Sequence, residues 1–343
     1  MITPSIRPLD AGARRAAQAE LDRKTKPRGS LGRLEALAVQ LAGIAGSMPP
    51  PPVRATAVVA AADHGYGVSA YPSEVTRQMV LTYAAGGAAV CVLARELGAE
   101  LVVVDAGVRE PVGHPAVRSV RVGAGTADAT ARPAMSVEQA KAAVDAGMAI
   151  ARELAGAGTT ALLLGEMGIG NTTAAAALHA ALLGAAPVDV CGPGTGLDAD
   201  GIRRKVAAVE QALRVNRARL DDPIGALAAV GGFELGVLVG LMLGGASQRL
   251  VVVLDGFIVS AAALVAARLH PAVLPYLVAA HRSPEPGHAI GLAALGLRPL
   301  LDLELRLGEG TGAVLALPLL RSARAILVEM ATFDSAGVTD AGR

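Results

Sequence analysis

Short apolar runs alternate with longer helical stretches over most of the 343-residue chain. Residues 56–62 (TAVVAAA) end at Asp63-His64-Gly65, and 101–104 (LVVV) end at Asp105-Ala-Gly. Residues 161–164 (ALLL) lead into Gly165-Glu166-Met167-Gly168, and 250–254 (LVVVL) into Asp255-Gly256. Each run is apolar on both faces and meets a glycine-containing turn that carries an acid. That pattern predicts parallel strands feeding helices. Residues 277–280 and 301–305 are weaker strand candidates because their turn chemistry is less clear. The expected fold class is α/β: a Rossmann-like three-layer domain with a mainly parallel sheet of about six strands and helices on both faces.

Residues 10–47 read instead as helix, broken near Lys26-Pro27-Arg28-Gly29, and the proline run 49–52 marks a boundary. The last helix is expected over about 311–330, with a frayed tail after Thr332. An α/β nucleotide-binding domain is therefore expected over 53–305. A small helical lobe is expected from 1–48 and 306–343, whose helices lack strand partners.

Composition changes this reading little. The chain is 52% hydrophobic, and 226–246 is almost wholly apolar. Glu234 and the helix-breaking Gly231-Gly232 pair argue against a membrane span there, and aromatics at 2% supply no interfacial belt. A covered parallel sheet accounts for the apolarity. A formal net charge of +1 gives no field for nucleic acid. Cys91 and Cys191 form neither a metal-type pair nor a disulfide framework. The N-terminus has no apolar signal region, so the cytoplasm is the expected location.

Four loops carry candidate chemistry. GEMGIGNTT (165–173) joins a strand to an alanine-rich helix, so its amides and the helix N-terminus suit an anion. It superficially fits G-x-x-x-x-G-K-S/T, but Asn171 stands where the phosphate-reaching lysine is needed. A monophosphate with a ribose fits better, Glu166 accepting from ribose hydroxyls. A plain glycine-rich turn capped by Thr172 is the alternative. GPGTGLD (192–198) is a second glycine-rich loop, followed by Arg203, Arg204 and Lys205, which project in different directions and form no single patch. DHGYGVSAYPSEVTRQM (63–79) suits either a flexible loop over a planar ligand or a long surface connection, and adjacent Asp63-His64 makes a poor metal pair. RLGEGTGA (306–313) sets Glu309 between glycines. By itself that reads as a turn acid favoured at a helix start.

Taken in order, these motifs resemble the nicotinate-nucleotide:dimethylbenzimidazole phosphoribosyltransferase family of cobalamin biosynthesis. The resemblance spans KPRGSLGRLE, AADHGYGVSAYP, TRQM, VVDAGV, GEMGIGNTTAAAAL, GPGTGLD, GGFELG, LDGF, AHRSPEPGH and LGLRPLLDLELRLGEGTGA, nearly the whole chain. It implies transfer of phosphoribose from nicotinate mononucleotide to dimethylbenzimidazole by a homodimer without metal or organic cofactor. It implies Glu309 as catalytic base. Glu166, Gly168, Gly170, Asn171, Thr172 and Thr173 would hold the donor, helped by Gly194, Thr195, Gly196 and Lys205. Tyr71, Pro72, Gln78 and Leu307 would line the pocket of the flat acceptor. A P-loop-like hydrolase and a non-catalytic nucleotide sensor are the competing readings.

Overall fold

The computed structural model describes residues 4–339. Among them, six strands form one parallel sheet: β1 (Ala55–Ala62), β2 (Glu100–Gly107), β3 (Val117–Ser119), β4 (Ala161–Met167), β5 (Val251–Leu254) and β6 (Leu277–Ala279). Their order is β3-β2-β1-β4-β5-β6. All five pairings are parallel, with Val58 of β1 opposite Val102 on one side and Leu164 on the other. Every residue of β1 is buried, as expected for a central strand covered on both faces. Strand order reverses between β1 and β4, and such a switch point opens a crevice beyond the strands' carboxyl ends.

The expected sheet holds, with one strand misplaced. Residues 301–305 contribute only an isolated bridge, His281 to Leu301. Glu304 there adopts φ 55°, which breaks the extended path and leaves Leu303 in solvent. The sixth strand is the three-residue edge strand β3, too short to leave a periodic signal.

The apolar run 226–246 divides between helices Pro223–Val230 and Phe233–Ser247, with extended Gly231-Gly232 between them. Helix Phe233–Ser247 lies directly on helix Val137–Gly156. A Cβ on Gly240 would fall 2.0 Å from the Val144 carbonyl oxygen, and one on Gly147 2.1 Å from that of Val237. Glycine lets the two backbones touch, which explains a helix buried almost from end to end. Two other runs, Glu74–Glu96 and Thr311–Glu329, are apolar and long enough to cross a bilayer by length and composition. Each is two helices here: Glu74–Ala84 with Ala89–Glu96, and Thr311–Leu315 with Leu317–Glu329.

Helices Ala11–Arg23 and Arg33–Ala45 pack on each other and on Leu317–Glu329. A buried Lys26–Glu35 ion pair at 2.7 Å closes the turn between the first two. Where a frayed tail was expected after Thr332, residues 333–336 form a short helix. Thr332 and Ser335 form a reciprocal cap on helix Phe333–Ala336. Residues 1–3 and 340–343 of the expected helical lobe lie outside the described residues.

Candidate active site

The carboxyl ends of β4, β5 and β6 meet the 306–310 loop in one cleft. Its walls include Glu166, Asn171 and Thr172 on one side, Gly194 and Thr195 on another, and His281, Leu307 and Glu309 on the third.

Glu309 is held in an uncommon conformation. Its φ is 64°, the left-handed region that a non-glycine residue seldom adopts, and Gly308 and Gly310 on either side are left-handed too. Two contacts impose this turn. Asp255, at the end of β5, accepts the amides of Gly310 (3.0 Å), Gly312 (2.8 Å) and Ala313 (3.1 Å). Gly165 in β4 lets the turn settle onto the sheet, since a Cβ there would lie 2.5 Å from the Gly310 nitrogen and 2.6 Å from the Glu309 carbonyl. The Glu309 side chain is buried, the residue being 7% exposed. Burial raises its pKa above the ordinary carboxylate value; the Tyr83 hydroxyl opposes that rise and Asp255 adds to it. A carboxyl on a left-handed residue, shielded at a cleft wall, is an arrangement that recurs at functional sites.

Glu166 is the second acid of the cleft. Burial, with Asp255 next in effect, pushes its carboxyl up to about 8, although the Asn171 side-chain amide donates to it. Near neutral pH it is therefore largely protonated and can donate a hydrogen bond. A neutral carboxyl there repels a phosphate less than a carboxylate would. Asn171, in the P-loop lysine position, is committed to Glu166. No lysine from that loop reaches toward a phosphate.

The glycine-rich loops offer fewer free donors than their sequences imply. The amides of Asn171 and Thr173 donate to the Gly168 and Gly170 carbonyls at 3.0 Å each, and that of Ile169 to the Thr76 hydroxyl at 3.0 Å. The Gly194 amide donates to Glu285 at 2.8 Å and that of Gly196 to the Pro193 carbonyl at 3.1 Å. Gly170, not Thr172, caps helix Asn171–Leu183. Lys205 is 1% exposed. Its ammonium donates to the Thr172 hydroxyl (3.0 Å) and the Gly192 carbonyl (2.9 Å), tying the two glycine-rich loops together from behind. Burial lowers its pKa, with Glu285 opposing.

Leu307 lines the cleft and is 57% exposed. Tyr71, Pro72 and Gln78 stand apart from its walls, and Tyr71 is 53% exposed. Asp63 and His64 diverge: Asp63 accepts the Arg109 amide at 2.7 Å, while His64 pairs with Glu234 at 2.7 Å beneath the 165–173 loop. Sequence reasoning missed Asp255 as the anchor of the Glu309 turn, along with His281, Glu285 and Tyr83. Asp255 had a signal, an acid at a strand's end, and His281 and Glu285 lie in the AHRSPEPGH motif; Tyr83 had none, because its surroundings come from remote segments.

A family profile described as "Phosphoribosyltransferase" matches residues 6–338. A Roseiflexus sp. (strain RS-1) protein named nicotinate-nucleotide–dimethylbenzimidazole phosphoribosyltransferase is 54% identical, covering 97% of this chain and 96% of that one. A protein of the same name from Pseudomonas putida KT2440 is 50% identical over 98% of this chain and 97% of its own. The crystal structure of the Thermus thermophilus protein of that name superposes with a TM-score of 0.91 at 49% identity, covering 97% of this chain and all of that one. This chain belongs to the nicotinate-nucleotide–dimethylbenzimidazole phosphoribosyltransferase family.

Proposed function

We propose that this chain moves the 5-phosphoribosyl group of nicotinate mononucleotide to 5,6-dimethylbenzimidazole, releasing nicotinate and forming α-ribazole 5′-phosphate. The imine-type ring nitrogen of the benzimidazole attacks the anomeric carbon as the bond to nicotinate breaks, and nicotinate leaves with that electron pair. Configuration inverts from β to α, so no covalent enzyme intermediate forms. The acceptor becomes a benzimidazolium, and Glu309 takes the proton from its other ring nitrogen as positive charge grows.

The observation that carries this reading is the Glu309 carboxyl, fixed by Asp255 and Gly165 at a cleft wall shared with Glu166 and the N-terminus of helix Asn171–Leu183. A pKa raised by burial matches a base to a weakly acidic ring N–H. Glu166, neutral near pH 7, is assigned to the donor's ribose hydroxyls, with Gly168, Gly170, Thr172 and Thr173 near the phosphate. Gly194, Thr195, Gly196 and Lys205 support them, and Leu307 flanks the acceptor. Tyr71, Pro72 and Gln78 are assigned to the acceptor by family resemblance. Homodimer formation and the division into an α/β domain and a helical lobe belong to the same reading. The lobe is supported by the packing of the N-terminal helices on Leu317–Glu329.

The test is product detection. Mixing the chain with both substrates is expected to release nicotinate and α-ribazole 5′-phosphate in equal amounts. Binding of the nucleotide with no nicotinate release would instead identify a sensor.

A further inference from the structure

Helix Glu74–Ala84 brings an unassigned group against the reacting carboxylate. Tyr83, in its last turn, is 3% exposed, and its hydroxyl oxygen is fully enclosed without a well-aligned hydrogen bond. The acids facing it are Glu309 and Glu166, with the Cys91 thiol also near. An enclosed hydroxyl left unpaired costs about 1–3 kcal/mol. A phenylalanine would fill the same space with no stranded oxygen, and the acceptors near this hydroxyl include the Glu309 and Glu166 carboxyls. The ring itself is held firmly: it sits in the main core, and its carbonyl accepts the Gly86 amide at 2.9 Å and the Cys91 thiol at 3.5 Å.

The other elements around Glu309 present Glu166 from β4, Asp255 from β5, His281 from beyond β6, and Arg306 from its own loop. Of the groups that act on its ionisation, Tyr83 alone favours the charged form.

We propose that Tyr83 is a positioning residue for Glu309, its hydroxyl donating to one carboxylate oxygen so that the other faces the acceptor's ring N–H. The inference rests on Glu309 acting as the base. The phenol opposes the rise that burial imposes on the carboxyl, while its short reach from a rigid helix end limits carboxyl rotation.

Tyr83→Phe tests this through the pH profiles of kcat and KM with both substrates. The acid limb of kcat is expected to move up by about one pH unit, a roughly tenfold loss on that limb. The high-pH plateau is expected to stay within about threefold and both KM values within about twofold, because binding contacts are untouched. Substituting 3-fluorotyrosine, a stronger donor of nearly the same size, is expected to move the limb the opposite way. In a Glu309→Gln background, Tyr83→Phe is expected to change the residual rate by less than about twofold, since coupled residues are not additive. Coincident acid limbs for the wild type and the Tyr83→Phe variant, or an equal loss in both backgrounds, would overturn the role. Wild-type turnover by Glu309→Gln alone would overturn the base assignment itself, which separates the two failures.

Discussion

The Asp255 carboxylate accepts the Gly310 amide at 3.0 Å, joining the end of β5 to the residue that follows Glu309. With Gly312 and Ala313 on its other oxygen, it satisfies three buried amides. Asp255→Ala strands them and releases the turn. The expected cost is about 2–5 kcal/mol in urea unfolding, at the upper end of what several stranded buried donors cost. Turnover is expected to fall more than substrate affinity.

Gly165→Ala is expected to act on the same turn from the sheet side. A methyl group 2.5 Å from the Gly310 nitrogen cannot be accommodated without shifting Glu309. Overpacking of this kind costs about 1–3 kcal/mol. A sub-ångström displacement of the base is expected to lower kcat about tenfold or more. Steady-state kinetics beside a melting curve separates the two effects.

Glu166 gives stability a pH signature. Its native carboxyl titrates at about 8, against 4.5 for the free side chain. Between those values the folded state holds a proton that the unfolded state has lost. Its stabilising contribution is therefore complete below about 4.5 and is lost as pH rises through 8. Glu166→Gln is expected to remove that decline. The difference between the urea midpoints of the two proteins should be constant below pH 4.5 and change from there to 8, with the wild type losing ground.

Two buried histidines act in the opposite sense. Burial lowers His179 to about 4 and His288 to about 3, from 6.5. The unfolded chain binds these protons first, so their contribution is present above 6.5 and is lost as pH falls toward 4 and 3. The expected slope is up to about 1.4 kcal/mol per pH unit for each histidine. His179→Gln is expected to flatten acid unfolding between pH 6.5 and 4.

The strands were legible because β1, β4 and β5 are continuous apolar runs that end in acid-glycine turns. Residues 301–305 (LDLEL) alternate leucine with acids instead of running apolar throughout, and Glu304 turns left-handed, so the segment makes only an isolated bridge. Strand β3 is three residues long and is defined only by its partner β2. Within the site, the 165–173 loop announced itself through glycine spacing, whereas Glu309 between its glycines read as a turn acid and took a role only from the ordered set of family motifs. The neutral state of Glu166 could not be read that way, since it depends on burial among Asp255, Glu234 and Glu309 from distant segments. The amides of Gly194 and Ile169 look free in sequence and are occupied in the fold by Glu285 and Thr76, again from afar. Tyr83 resembles any core tyrosine until the chain closes around Glu309.

Glu309→Gln keeps the size and the turn of the side chain while removing its ability to take a proton. Single-turnover measurement with enzyme in excess over nicotinate mononucleotide and saturating dimethylbenzimidazole reads the transfer step itself. The expected result is a rate lower by about two to four decades, the range for losing a general base, with nucleotide affinity unchanged. A transfer rate equal to that of the wild type would contradict Glu309 as the base.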